Sequence, residues 1–244
     1  MAVLEIKKIN DCISYIPACT EPLSADVGII YGKNRTYLYD VGSTIENLEF
    51  MYSLKEPFSI ITSHFHGDHI WWLEKHRAGD AGVKPGDTLS LDYKRPRYAE
   101  LYVSSQTKKY TEDGIVVSER MTINDTAADG TPLTLEIIPF PSSHAKGCLA
   151  LMVNDEILFT GDGTYCVWKS AGAGEDEENA PGVGFAQYNV QQLKAEIDLL
   201  SELKAEKIAL SHDRKFIRPK KVILRELQSA YAQREPGQNI IIVK

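Results

Sequence analysis

Phe58-Ser59-Ile60-Ile61-Thr62 reads as a buried β-strand, and it runs directly into Ser63-His64-Phe65-His66-Gly67-Asp68-His69. Four side chains able to bind a metal, His64, His66, Asp68 and His69, crowd into six residues there. Neutral imidazole and carboxylate suit zinc and neighbouring first-row metals, and α/β sheets hold their ligand sites at the carboxyl ends of strands. The run therefore asks for a sheet whose strand ends gather round a metal. Three more candidates arrive singly: His144 after Pro141-Ser142-Ser143, Asp162 after Phe159-Thr160-Gly161, and His212 after Leu210-Ser211. Five of the six histidines thus share one pattern. His76, flanked by Lys75 and Arg77, stands apart and is expected at a solvated helix end.

The rest of the chain supplies the sheet. Alternating segments at 3–9, 12–16, 27–31 and 36–39 read as strands, and Gly32-Lys33-Asn34 as a hairpin turn. A short helix fits 45–53. From about Gly79 to Gly130 the pattern is least regular, with strands expected at 101–104 and 115–117 and polar connections at 82–87 and 125–132. Segments 133–139, 148–153 and 157–160 resume the sheet, with Asn154-Asp155-Glu156 as a hairpin. Residues 172–184, rich in Gly, Glu, Asp and Pro, read as a mobile surface loop. Val190, Leu193, Ile197, Leu200 and Leu203 share one helical face within 189–204. A strand at 208–210, a helix at 220–234 and a last strand at 240–243 complete the pattern. Strands, a ligand-bearing loop and a helix recur in both halves, and no repeat, coiled coil or linker divides them. The expectation is one α/β domain over residues 1–244, a four-layer αββα sandwich with its site at one edge.

Composition excludes several function classes. A net charge of −7 argues against broad contact with nucleic acid or an anionic membrane face, although Lys94-Arg95-Pro96-Arg97 is a local basic segment. No apolar run approaches the ~20 residues a membrane helix needs. The opening Met1-Ala2-Val3-Leu4-Glu5-Ile6-Lys7-Lys8 alternates charge with aliphatic residues, unlike a secretory signal. Cys12, Cys19, Cys148 and Cys166 show no CxxC spacing. These features lead to an expectation of a cytoplasmic protein with a small-molecule substrate; oligomeric state is open. Cys148 and Cys166 are expected as small buried apolar residues.

Taken in order, His64-x-His66-x-Asp68-His69, His144, Asp162 and His212 resemble the ligand pattern of the metallo-β-lactamase fold superfamily, over about Val27 to His212. Asp40 in Leu38-Tyr39-Asp40-Val41-Gly42 is similar to the acidic residue that this family carries after an early strand. The resemblance implies two divalent metal ions, with zinc first and manganese or iron as alternatives. His64, His66 and His144 would hold one ion, Asp68, His69 and His212 the other, and Asp162 would bridge them. Three imidazoles leave positions open for water, as catalytic sites do, and a metal pair lowers the pKa of bound water towards neutrality. Asp40 is expected to orient a ligand, with a turn cap as the bland alternative. Asp213 is expected either to orient a ring nitrogen or to lie at the surface.

Departures narrow the branch. The antibiotic-degrading branches usually lack an aspartate bridge at position 162, so β-lactamase activity is not expected. Flavodiiron proteins would carry Glu at position 66, and this chain has His. The aspartate bridge is similar to that of glyoxalase II thioesterases, acyl-homoserine lactonases and several phosphodiesterases. Tyr165, three residues after the bridge, sits where lactonases place a tyrosine, and its phenol would donate to a carbonyl oxyanion; a core aromatic is the competing role. Trp71 and Trp72 would line an acyl pocket or pack on the sheet. The resemblance implies a binuclear metal-dependent hydrolase of an ester, lactone or thioester, in which metal-activated hydroxide attacks and Asp68 takes up or shuttles the proton. Phosphodiester hydrolysis is the alternative, followed by iron-dependent oxygen chemistry and a non-catalytic binding module.

Overall fold

The computed structural model describes residues 4–55, 57–74, 95–142, 144–164, 186–187, 189–213, 215–237 and 241–242. Among these residues, a seven-stranded sheet runs in the spatial order Lys7–Lys8, Ile13–Ile16, Val27–Tyr31, Thr36–Tyr39, Phe58–Ile61, Glu100–Val103, Ile115–Val116. A six-stranded sheet runs Met121–Thr126, Pro132–Phe140, Cys148–Val153, Ile157–Phe159, Lys207–Ala209, Ile217–Pro219.

Consecutive residues of a strand point to opposite faces, and here both faces are covered. Ile30, Tyr39 and Ile61 of the first sheet meet Leu135, Leu151 and Phe159 of the second in one buried cluster between the sheets. Their neighbours Ile29, Leu38 and Ile60 turn outward, onto Leu48 and Met51 of the helix Ile45–Ser53. Ile138, Ala150, Leu158 and Ile208 turn outward from the second sheet. They pack on Leu193, Ile197 and Leu200 of the helix Val190–Glu202, and on Ile223 and Leu227 of the helix Lys220–Ala232. Strands buried on both faces read as continuous apolar runs rather than alternation, which is why Cys148–Val153 contains no polar residue. Each fully buried Leu or Ile contributes about 1.5–3 kcal/mol over an exposed one. Four layers result, helix, sheet, sheet and helix, as the sequence predicts.

Local chemistry sets the element ends. Thr44 caps the first helix in a reciprocal box with Asn47, each accepting a backbone N–H of the other at 3.2 Å. Asn189 caps the next through its side-chain oxygen. Asn154 and Asp155 take φ of 53° and 55°, the left-handed pair that a tight hairpin requires.

Two strands differ from expectation. Met121–Thr126 pairs with Pro132–Phe140, so Asp125 and Thr126 belong to a strand rather than a polar connection. Ile217–Pro219 pairs with Lys207–Ala209 and forms the sheet's edge. The segment expected as a strand at 3–9 contributes only Lys7–Lys8 among the described residues.

Strand direction fixes the site. Pro132–Phe140 and Ile157–Phe159 are both antiparallel to Cys148–Val153, and Ile157–Phe159 is parallel to Lys207–Ala209. These three strands therefore finish at the same edge, just before His144, Asp162 and His212 respectively. No described helix is long and apolar enough to cross a membrane.

Candidate metal centre

At the end of Phe58–Ile61 the chain stays tied to its neighbour through Thr62 N–H to Tyr102 C=O (3.0 Å), and then turns into the one-turn helix Gly67–Ile70. His64 lies before that turn and Asp68 and His69 lie in it, so the run is folded back on itself. The other loops are fixed to one another. Ser142 Oγ accepts from His144 N–H (3.0 Å) and donates to Gly163 C=O (3.1 Å), tying the His144 loop to the Asp162 turn. Asp162 sits in the 3-10 turn Gly161–Gly163. Gly161 has φ of 52°, and a Cβ there would lie 2.5 Å from Ser63 Cβ, so the backbone closes on Ser63 as only glycine permits.

His212 itself takes φ of 59°. Its loop is closed by Leu210 N–H to Phe216 C=O (2.9 Å) and by the two-point ion pair of Asp213 with Arg218, one arm at 2.9 Å. Asp213 thus braces the loop from Arg218, whereas the sequence suggests a ring nitrogen or the surface. From the other side, buried Asp26 accepts His212 N–H (2.9 Å) and Ala18 N–H (3.0 Å). Burial pushes the Asp26 carboxyl up to about 6 against the pull of those two hydrogen bonds. Nothing in the sequence singles out Asp26, because it reaches His212 through a backbone N–H 186 residues away.

The seven predicted donors come together in two sets. His64, His66, His144 and Asp162 form one, and Asp68, His69, Asp162 and His212 the other; within each, the donor atoms lie within 4.8 Å of one another. In the first, His144 Nε2 is 3.0 Å from His66 Nδ1 and 3.4 Å from Asp162 Oδ2. In the second, Asp162 Oδ1 is 3.2 Å from His69 Nε2 and 3.7 Å from His212 Nε2. Asp68 Oδ2 is 3.1 Å from His212 Nε2 and 3.6 Å from His69 Nε2. Donors placed tetrahedrally about zinc at about 2.0–2.1 Å stand roughly 3.4 Å apart, and these separations scatter around that value. His64 Nε2, His69 Nε2 and Asp162 Oδ1 are also buried without a hydrogen bond of normal geometry. Buried polar groups are costly to leave unsatisfied, so three such atoms converging on two points fit a pair of cations.

Protonation agrees with that fit. Burial, with His69 nearby, pushes the His64 imidazole well below its ordinary value, and burial also lowers His66 and His144. The first set therefore offers neutral rings. Burial alone would raise Asp162, but His69, His64 and His212 outweigh it and hold the carboxyl well below the usual range. Burial raises Asp68 too, yet the hydrogen bond from His212 and the charge of His69 win and lower it. His69 is the exception: burial pulls it down, but Asp162 and Asp40 hold it well above its ordinary value. Asp40 lies 2.7 Å from His69 Nδ1 and also accepts Ser63 N–H (2.6 Å), so it orients a ring as well as closing a turn.

Beside the His64 and His66 rings lies Phe65, half-buried like Trp71, and Tyr110 stacks on Phe65 with ring centroids 5.1 Å apart. Trp72 is buried in the outer core and donates Nε1–H to Thr44 C=O (3.0 Å). Cys148 is buried, as expected. Tyr165, Cys166, His76 and the 172–184 loop lie outside the described residues.

The sequence profile described as "Metallo-beta-lactamase superfamily" matches residues 20–212. No curated protein matched the sequence. Among solved structures, the chain is similar to the chemotaxis sensor ODP, seen as a peroxy diiron species, at 18% identity and a TM-score of 0.61 over 96% of each chain. It is similar to a mutant flavo di-iron protein from Thermotoga maritima at 15% identity and a TM-score of 0.62, covering 95% of this chain and 62% of that one. It is also similar to the DIM-1 metallo-beta-lactamase at 14% identity and a TM-score of 0.56, over 95% of this chain and 98% of that one. At these identities the likeness speaks for the fold.

Proposed function

Because the chain belongs to the metallo-beta-lactamase superfamily, we propose that it is a dinuclear metal-dependent hydrolase of a small ester, lactone or thioester. The observation that carries this reading is Asp162, which offers Oδ2 to one donor set and Oδ1 to the other. His64, His66 and His144 would hold one zinc and Asp68, His69 and His212 its neighbour. When bound, such a pair supplies a Lewis acid for the substrate oxygen and water of lowered pKa.

The chain's own residues supply the rest. His64 and His69 are sealed, whereas His66, Asp68 and His144 are partly exposed, so substrate would approach over that side. Asp68 commits Oδ2 to the second set; its other oxygen, on a carboxyl kept ionised, would take the proton released from the attacking water. Phe65, Trp71 and Tyr110 would offer apolar surface to an acyl group.

A second reading draws on di-iron proteins among the structural relatives. Imidazole and carboxylate also suit iron, and the centre would then bind iron for oxygen chemistry. Elemental analysis of protein purified without added metal, followed by assays on lactones, thioesters and phosphodiesters, separates the readings. Zinc- or manganese-dependent acyl hydrolysis that a chelator abolishes supports the proposal. Bound iron with no hydrolysis favours the second reading, and a marked preference for phosphodiesters would overturn the acyl assignment.

A further inference from the structure

Ser63 belongs to neither donor set, yet it touches both. It is sealed from solvent, and its hydroxyl lies 2.9 Å from His64 Nδ1 and 3.2 Å from His69 Nδ1. A hydroxyl has one proton to donate and two lone pairs to accept with, so the direction of these contacts determines which tautomer each ring adopts. The surroundings decide it. His69 Nδ1 faces Asp40 Oδ2 at 2.7 Å, and an ionised carboxylate only accepts, so that nitrogen carries its proton and already has a partner for it.

His64 Nε2 is buried and makes no hydrogen bond. An N–H at that position would be an unsatisfied buried donor, whereas a bare lone pair there is what a cation needs. A neutral imidazole carries one proton, so with Nε2 bare the proton sits on Nδ1, and the group facing it is Ser63 Oγ.

We propose that Ser63 is the positioning residue of the first donor set: its oxygen accepts His64 Nδ1–H and holds the ring in the tautomer that presents Nε2 to the metal. The inference rests on the dinuclear reading above. It adds that the two sites are oriented by different chemistry, a neutral hydroxyl behind His64 and a carboxylate behind His69. Such outer partners typically change metal affinity by ~10–100-fold when removed. Losing Ser63 should therefore weaken one site of the pair and spare the other.

The test is a competitive zinc titration of the full chain that resolves two affinities, for wild type, Ser63→Ala and Ser63→Thr, with melting curves on the same metal-free samples. The expected result is a ~10–100-fold loss at one site for Ser63→Ala, with the other site within ~3-fold and recovery by Ser63→Thr. Nitrogen-15 spectra of the histidine rings give a readout that a merely structural role would not move. His64 should appear as the Nδ1–H tautomer in wild type, with or without metal, and lose that preference in Ser63→Ala. Two unchanged affinities, equal loss at both sites with a lowered melting temperature, or His64 protonated on Nε2 in wild type would each overturn the inference. A wild-type protein that binds no zinc, manganese or iron would instead defeat the dinuclear reading, and the ring spectra of the metal-free protein would still decide the role of Ser63.

Discussion

Asp40 Oδ2 lies 2.7 Å from His69 Nδ1, and both side chains are sealed from solvent. Asp40 holds this position at φ of 62°, a conformation that costs an Asp about 1–2 kcal/mol and persists only where the surroundings impose it. The parallel pairing of Thr36–Tyr39 with Phe58–Ile61 does so by bringing the two strand ends side by side. A ligand ring held by a carboxylate is both oriented and made more basic. Asp40→Ala should therefore weaken zinc binding at the His69 site by ~10–100-fold. A two-site competition titration measures this, and an unchanged pair of affinities would remove Asp40 from the centre.

The same pair sets a pH dependence. Burial pulls the His69 imidazole down, but Asp162 and Asp40 outweigh it, so in the metal-free protein the ring keeps its second proton to higher pH than an ordinary imidazole does. Ligation needs the neutral ring, so binding must expel that proton, and affinity rises with pH until the folded-state pKa is passed. Asp162, held well below the carboxylate range, has no proton to lose. Calorimetry in buffers of different ionisation enthalpy should show about one proton released at the second site. Affinity there should rise ~tenfold per pH unit for as long as His69 is protonated in the metal-free protein, the slope of one displaced proton. A flat profile with no proton release would show that His69 is neutral before metal arrives.

Gly161→Ala probes the turn that carries Asp162. The new Cβ would lie 2.5 Å from Ser63 Cβ and 2.7 Å from its Oγ, on a backbone at φ of 52°. The left-handed conformation alone costs about 1–2 kcal/mol for an L-residue, and relief of the contact would move Asp162. A lower melting temperature with reduced metal content in the same sample is expected. Wild-type metal content would mean that the turn yields without disturbing its neighbour.

Much of this arrangement is legible in the sequence, for physical reasons. Val27–Tyr31 and Thr36–Tyr39 are legible as short alternating segments between turn residues, and Cys148–Val153 as an unbroken apolar run buried on both faces. The donors are legible because four of them crowd into one run directly after an apolar strand and the other three each follow a strand in order. Met121–Thr126 is not, since Met-Thr-Ile-Asn-Asp-Thr is an edge strand with no fully buried residue. Ile217–Pro219 is short, ends in proline and also lies at an edge. Asp26 and Ser63 escape notice for another reason. Asp26 acts on His212 from 186 residues away through a backbone N–H, and Ser63 acts through a ring nitrogen whose neighbours only the fold supplies. For Trp72 the sequence leaves a pocket and the sheet equally open, and its bond to Thr44 with its place in the outer core decides for the latter.

Tyr165 tests the acyl assignment from the sequence side. If its phenol donates to a carbonyl oxyanion, Tyr165→Phe keeps both metals and slows turnover of the best lactone or thioester between ~10-fold and ~10²-fold. A core tyrosine would lower the melting temperature and leave kcat alone. Equal kcat in the two proteins would remove Tyr165 from the reaction and weaken the preference for acyl over phosphoryl substrates.

Under the dinuclear reading Asp162 joins two metal ions, Oδ2 facing the His64, His66 and His144 set and Oδ1 the Asp68, His69 and His212 set. Anomalous diffraction from crystals of the zinc-loaded protein measures this most directly. Two peaks per chain about 3.5–4 Å apart, with the Asp162 carboxylate between them, are expected. A single peak at saturating zinc, or two peaks too far apart for one carboxylate to span, would contradict it.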